Sequence, residues 1–370
     1  MFSYSSRSKL AINRARVPRM IAPVETWHFK PQSQEITLQT QLCQRLGIDV
    51  PIFCAPMGFV TGPALAAAVS NAGGLGILSF SRNPPERLRQ EIRRVRALTS
   101  KPFGVTLLLP ANVAEHAAVC LEERVAVLSL FWGDPAPYVA PAHKAGVLVL
   151  HQVGSVEEAR SAAEAGVDIV IAQGVEAGGH VRGEISLMAL VPRVVDAIAP
   201  IPVAASGGIA DARGVAAALA LGAQAVSIGT RFLATTESTA HPLYKQKIVE
   251  AGEQDTVRTT IFGYTWPNAP HRTLRTRFVE QWIGDQARGN EARPDEPVIG
   301  ETRIGGQSAP VRRFMGFTPS IDTTGDIESM ALYAGQGVGL INSILPAAEV
   351  VRELAEGARQ ILRELASQQP

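Results

Sequence analysis

His180 stands in the stretch GVEAGGHVRG (174–183), which gives its imidazole no bulky neighbour and follows directly on the apolar run VDIVIAQ (167–173). A histidine that fills a core normally lies in an apolar stripe. One set among glycines suits contact with a ligand, because Gly178 and Gly179 let backbone come close to a bound molecule. Imidazole titrates near neutral pH, so the chemistry expected of His180 is removal of a substrate proton or contact with a bound anion. Glu176 is expected either to orient this loop or to be solvated. Two glycine-containing pairs, Gly207-Gly208 after PVAAS and Gly229-Thr230 after AVSIG, offer backbone N–H groups for a dianionic phosphate without a lysine. In APMG (55–58), Ala55, Pro56 and Met57 supply backbone polar groups and one thioether, which suits a flat heteroaromatic ring; the plain alternative for Met57 is a core side chain.

The remaining candidates are weaker. His151, with Gln152 beside it, is expected at the same site as a supporting group or as a satisfied buried histidine. His116 and His143 are expected on outer helices, His241 as a helix cap, and Lys245 and Lys247 on a solvated face. Tyr264, Trp266 and Trp282 are candidates for a pocket roof, with burial against the barrel as the alternative. Ser206 is not flanked as a nucleophile elbow, and no Ser–His–acid order or HExxH spacing occurs.

The elements that must carry these residues alternate. Apolar runs at 51–55, 75–79, 103–109, 125–130, 147–151, 168–173, 202–206 and 225–229 read as strands, separated by Ala-rich stretches of helical period. Most lack polar alternation, as expected of parallel strands covered on both faces, and eight of them predict an α/β fold, a closed (β/α)8 TIM barrel. Ser155 with Glu158 reads as a capping box, and Asp211 opens a helix that stops at Gly222. The active site is then expected at the strands' C-terminal ends. After Phe232 the rhythm breaks. HPLYKQKIVEAGEQ and RTLRTRFVEQWIG read as helices, the stretch from Asp285 to Pro310 as polar and turn-rich, and the segment from Ile327 onward as helical. This predicts a basic N-terminal tail (1–35), a barrel (36–240), a smaller, mainly helical insertion roofing the site (241–324) and C-terminal helices returning to the barrel (325–370).

Bulk properties limit the partners. With 35 basic and 34 acidic side chains, no overall field steers the chain towards nucleic acid or anionic membranes. Cys43, Cys54 and Cys120 lack the spacing of a disulfide framework or zinc cluster. No apolar run is long enough for a membrane span, so a soluble, cytoplasmic protein acting on a small molecule is expected. The first 20 residues hold five basic groups, four serines and no acid; a disordered tail or a start set too early is preferred over an organelle presequence.

Taken together and in order, APMGFVTGPALAAAVSNAGGLGIL, AQGVEAGGHVRG, PVAASGGIADARGVAAALALGAQAVSIGTRFLATTES and YAGQGVGLI resemble the nitronate monooxygenases, formerly called 2-nitropropane dioxygenases. The resemblance runs from about Ile36 to the last helix. It implies non-covalent FMN, no metal, and a cofactor-binding set of Ala55, Pro56, Met57, Thr106, Gln173, Gly178, Gly179, Ser206, Gly207, Gly208, Ser227, Ile228, Gly229 and Thr230. In that set Ala55 to Met57 line the flavin ring, and Gly207, Gly208, Gly229 and Thr230 hold the phosphate. His180 matches the family's catalytic histidine, which takes a proton from the carbon bearing a nitro group or holds a nitronate, so that FMN and O2 yield a carbonyl compound and nitrite. One departure is Thr106, where the family often has asparagine; one hydroxyl cannot supply an amide's paired donor and acceptor. Relatives with the same histidine motif use NAD(P)H, among them flavin-type enoyl-acyl carrier protein reductases and NADH:quinone reductases, and a reductase is the alternative. The absence of GxGxxG after a strand does not decide against it, since a nicotinamide that stacks on flavin needs no such motif.

Overall fold

Eight apolar runs become eight parallel strands buried on both faces. The structure, a computed structural model, describes residues 37–79, 84–111, 113–291, 293–304 and 306–367; the N-terminal tail at 1–35 lies outside them. The strands are β1 (Ile52–Cys54), β2 (Leu75–Ser79), β3 (Phe103–Leu108), β4 (Val127–Phe131), β5 (Leu148–Val153), β6 (Ile169–Gln173), β8 (Val203–Ser206) and β9 (Ala225–Ile228). The two-residue β7 (Gly179–His180) falls between β6 and β8 in sequence but outside the barrel. The order β1-β2-β3-β4-β5-β6-β8-β9 closes where Phe53 pairs with Ser227, giving the expected TIM barrel.

Side-chain direction still alternates along strands that are apolar throughout. Phe53, Leu75, Ile77, Val127, Leu150, Ile171 and Ala204 fill the interior, together with Leu42 and Leu46 of α1 (Gln41–Leu46). Residues of opposite parity, such as Ile52, Leu78, Val105, Leu128, Val149, Val170 and Val226, pack under the outer helices. Helix α1 plugs the end where strands begin: Thr40 Oγ1 donates to the Gln224 carbonyl (2.8 Å), and the Leu42 N–H donates to Gln224 Oε1 (3.1 Å), one residue before β9.

The outer layer consists of α2 (Pro63–Asn71), α3 (Pro85–Leu98), α4 (Ala114–Glu122), α5 (Ala136–Lys144), α6 (Val156–Glu164), α7 (Leu187–Ile198) and α8 (Ala212–Ala220). Their boundaries follow local chemistry. Ser155 Oγ accepts from the Glu158 N–H (3.2 Å), while Glu158 Oε2 accepts from the Gly154 N–H (2.7 Å), so the box closes one residue earlier than its motif suggests. Asp211 Oδ1 accepts from the N–H groups of Arg213 and Gly214. Gly73 and Gly222, just past α2 and α8, take left-handed φ of +90° and +96°. Among the described residues no helix is long and apolar enough to cross a membrane.

Beyond the short α9 (Thr230–Leu233) the chain departs from the sequence-based expectation of mainly helical structure. It runs through α10 (Pro242–Glu250), β10 (Thr256–Thr259), β11 (His271–Leu274), α11 (Arg277–Trp282), α12 (Gln286–Gly289), β12 (Val298–Ile304), β13 (Gln307–Arg312) and β14 (Thr324–Gly325). RTLRTRFVEQWIG therefore splits. Its first residues form β11, wholly buried between β10 and β7, and a helix starts only after Thr276, whose Oγ1 accepts from the Val279 N–H (3.3 Å). Tertiary pairing decides that segment over its helical pattern. The turn-rich stretch holds a hairpin, β12 with β13, extended by β14.

The segment from Ile327 likewise contains only 3₁₀ turns and extended chain until α13 (Ala347–Ser367). Gly335, in extended backbone, and Gly337, in a 3₁₀ turn, mark a close approach to the barrel mouth: a Cβ on them would lie 2.9 Å from the Glu176 carbonyl oxygen and 2.8 Å from that of Gly208. Helix α13 packs on α8 and α2 as the barrel's last outer helix.

Close helix–strand contact gives a first test. A Cβ at Gly76 would lie 1.9 Å from the Ala66 carbonyl oxygen of α2, whereas at Gly284 it would meet nothing within 4 Å. Urea unfolding is expected to show Gly76→Ala destabilised by about 3 kcal/mol or more and Gly284→Ala within roughly 0.5 kcal/mol of the parent.

Candidate active site

On seven of the eight barrel strands the inward position one step above the apolar interior is polar and neutral; just past β1 it is Ala55. Ser79, Thr106, Ser129, Gln152, Gln173, Ser206 and Ser227, from seven of the barrel strands, form the floor of a cavity of about 380 Å³ at the strands' C-terminal ends. Register sets Ser79 beside Thr106 and Thr106 beside Ser129. It likewise sets Gln173 beside Ser206 and Ser206 beside Ser227. None of the lining residues is Asp, Glu, Lys or Arg. Thr106 Oγ1 lies 3.4 Å from Ser129 Oγ as a donor, so where the family often has one amide this chain sets two hydroxyls together. Ser227 Oγ is buried with no partner among the described residues, a costly state unless a ligand supplies one.

Thirteen of the fourteen residues in the cofactor-binding set line this cavity together with His180; Ile228 does not. Strand parity sends the Ile228 side chain into the outer core, and only its carbonyl serves the site, accepting from the Ala55 N–H (2.9 Å). The same parity corrects His151, whose side chain faces outward with those of Val149 and Val153 while Gln152 lines the cavity. Gly207 and Gly208 have φ of +113° and +69°, which an L side chain seldom adopts. Thr230 Oγ1 accepts from the Gly335 N–H (3.0 Å), tying the returning chain to the glycine loops.

His180 is held through its backbone. Strand β7 pairs antiparallel with β11, His180 opposite His271 and Gly179 opposite Arg272, and Gln173 Nε2 donates to the His180 carbonyl (3.1 Å). The buried Arg272 guanidinium donates to the Val175 carbonyl (3.0 Å). Glu176 orients the loop: both its carboxylate oxygens accept from the Leu187 N–H (2.9 and 3.0 Å), and its own carbonyl accepts from the Gln336 N–H (2.9 Å). Besides lining the cavity, Gly178 has a close protein neighbour: a Cβ there would lie 2.6 Å from the Ala334–Gly335 backbone.

Nor is the imidazole without bulky company. It stacks on Trp266 (4.3 Å, 26°) and lies near Trp132 (6.2 Å), His271 (5.5 Å) and Tyr333 (5.6 Å). Of the three roof candidates only Trp266 lines the cavity, while Tyr264 and Trp282 pack on the Phe278–Phe314 cluster. Lys245 is not solvated as expected: its Nζ donates to the Thr235 carbonyl (2.7 Å) and burial lowers its pKa. Sequence reasoning missed Ser79, Ser129, Phe59, Phe317 and Tyr333. For the two serines the signal was present, as a lone hydroxyl at an inward strand position.

Two buried histidines supply a pH test. His271 Nδ1 sits 2.9 Å from the Ala269 carbonyl and its Nε2 accepts from the Phe262 N–H (3.3 Å), which fixes a neutral ring. Burial lowers both His271 and His151 to about 4. The unfolded chain protonates near pH 6.5 and so binds more protons than the folded one between about 6.5 and 4; stability therefore rises with pH across that window and is lost on acidification. Urea midpoints are expected to fall steadily from pH 7 to 5, with a smaller fall in the variant His271→Gln.

The fold and cavity are those of a barrel enzyme whose chemistry sits at the strands' C-terminal ends. The chain belongs to the nitronate monooxygenase family, whose model matches residues 39–119 and 112–357, and is a flavin-dependent oxidoreductase. It is 36% identical over 363 residues to the nitronate monooxygenase of Pseudomonas aeruginosa, covering 85% of this chain and 97% of that one. It is 40% identical over 256 residues to the (3aS,4S,5R,7aS)-5-hydroxy-7a-methyl-1-oxo-octahydro-1H-indene-4-carboxyl-CoA dehydrogenase of Mycobacterium tuberculosis, covering 68% and 71%. Among solved structures it resembles FabK from Thermotoga maritima with a TM-score of 0.74 at 35% identity, over 90% of this chain and 99% of that one.

The residues present fit a flavin. A neutral floor of donors and acceptors with an unpartnered Ser227 hydroxyl matches a planar ring with amide-like edges, and the left-handed glycine pair leaves backbone clear for a close ligand. Ser227→Ala is expected to weaken flavin retention about tenfold with unchanged folding, read as the flavin-to-protein ratio after ultrafiltration.

Proposed function

We propose that the chain oxidises alkyl nitronates with O2 to a carbonyl compound and nitrite, using FMN. The observation that carries this is the placement of His180: an imidazole on the cavity wall, fixed by strand pairing and an aromatic stack, over a floor with no charged side chain. Ala55 to Met57, Thr106, Gln173, Gly178, Gly179, Ser206 and Ser227 would hold the flavin ring and its side chain, and Gly207, Gly208, Gly229 and Thr230 its phosphate. When bound, the flavin supplies electron transfer with oxygen. The chain's own groups bind and orient the substrate and exclude water, and His180 takes a proton from the carbon bearing a nitro group or holds the nitronate in position.

A second reading is an NAD(P)H-dependent flavin reductase, favoured by the 40% identity to a protein named as a dehydrogenase. Mixing flavin-loaded protein separately with NADH, NADPH and ethyl nitronate, while following flavin bleaching and oxygen uptake, separates the two. Nitronate is expected to bleach the flavin anaerobically and to drive oxygen uptake in air. Rapid bleaching by a nicotinamide with no nitronate-dependent uptake would overturn the oxygenase reading. His180→Ala is expected to lower turnover by about 10²–10⁴ while retaining flavin, because the His180 bonds to Gln173 and β11 are made by backbone.

A further inference from the structure

Tyr333 lines the cavity and none of the roles assigned so far uses it. Its position follows from the small sheet that holds His180. His271 and Thr273 lie two residues apart on β11 and so face the same side; His180 pairs with His271, and Tyr333 is bridged to Thr273. Two side chains from segments that follow one another along the same edge of β11, the edge not taken by β10, thus emerge on one face, with the Tyr333 ring 5.6 Å from that of His180. The ring is secured from behind by the Phe262–Phe314 cluster, and the Tyr333 carbonyl accepts from the Tyr244 hydroxyl.

The hydroxyl is another matter. Tyr333 Oη is buried and has no hydrogen-bond partner among the described residues. A phenol buried without a partner destabilises its own fold, and at a cavity wall the group that satisfies it is the ligand. Burial also raises its pKa well above the usual phenol range, so it stays a donor at all working pH values. With no lysine or arginine on the wall, an oxyanion in this cavity must be met by neutral donors.

We propose that Tyr333 Oη donates a hydrogen bond to a nitro oxygen of the bound nitronate, making Tyr333 a substrate-binding residue that acts beside His180. The inference rests on the nitronate reading. Its test is Tyr333→Phe in the flavin-loaded protein, with ethyl nitronate kinetics, equilibrium binding of nitrate as a non-reacting planar oxyanion followed by flavin absorbance, and the urea midpoint. The expected result is a tenfold to hundredfold loss in kcat/KM and a matching weakening of nitrate binding, with flavin content and urea midpoint unchanged or slightly improved.

Unchanged kinetics and nitrate binding would overturn the proposal. So would a variant that fails to fold or loses flavin, because the hydroxyl would then have a structural partner. Tyr333→His, which restores a donor, is expected to recover part of the loss. If the parent protein turns over no nitronate, the functional reading falls and the nitrate titration alone decides Tyr333. Weaker binding in the Phe variant supports the donor; equal binding, or none by either protein, overturns it.

Discussion

The antiparallel pairing of Gly179–His180 with His271–Arg272 is the contact on which the site depends. A side chain on a long loop is held only as firmly as its backbone, and here the backbone is a strand, however short. Main-chain pairing fixes the residue through its backbone, and the ring stacks on Trp266 at the cavity wall. Arg272 adds a buried cation whose guanidinium is answered by the Val175 carbonyl and the Thr256 hydroxyl. Barrel and insertion therefore meet as one sheet, and a displaced insertion would displace the histidine with it.

The cavity itself works through dipoles. Hydroxyls, amides and backbone N–H groups surround a ligand in a setting of low dielectric constant, where such groups act strongly and do not need to reorganise. An anionic group bound here would meet no lysine or arginine on the wall, so its position would be set by directional bonds and by shape. The pair Thr106 and Ser129 illustrates the economy of this arrangement: neighbouring strands present two rotatable hydroxyls at the level where relatives often use a single amide.

Much of this was legible from residue patterns. Apolar runs punctuated by glycine marked the barrel because both strand faces are covered, and the caps at Ser155 and Asp211 depend on neighbours within four residues. His180 was legible by its unusual company. What stayed hidden depends on partners far along the chain: Arg272 and Thr273 read as helical because nothing local announces a strand at residue 180, and nothing near Gly178 announces that it also packs against Ala334, more than 150 positions later. Parity was hidden as well. Within His151–Gln152 the residues themselves, and within Ser227–Ile228 the family resemblance, named both members of a pair, and only the barrel's inward direction selects one.

The link from the Gly335 N–H to Thr230, with that from Gln336 to the Glu176 carbonyl, has a consequence for biosynthesis. The ribosome releases His180 and the loops at Gly207-Gly208 and Gly229-Thr230 well before the segment that locks them, and α13 must still follow to close the outer ring. A nascent chain thus carries a nearly complete barrel with an unfastened mouth. The mouth of the cavity is completed only when residues 335 and 336 dock, late in the order in which the described residues are made.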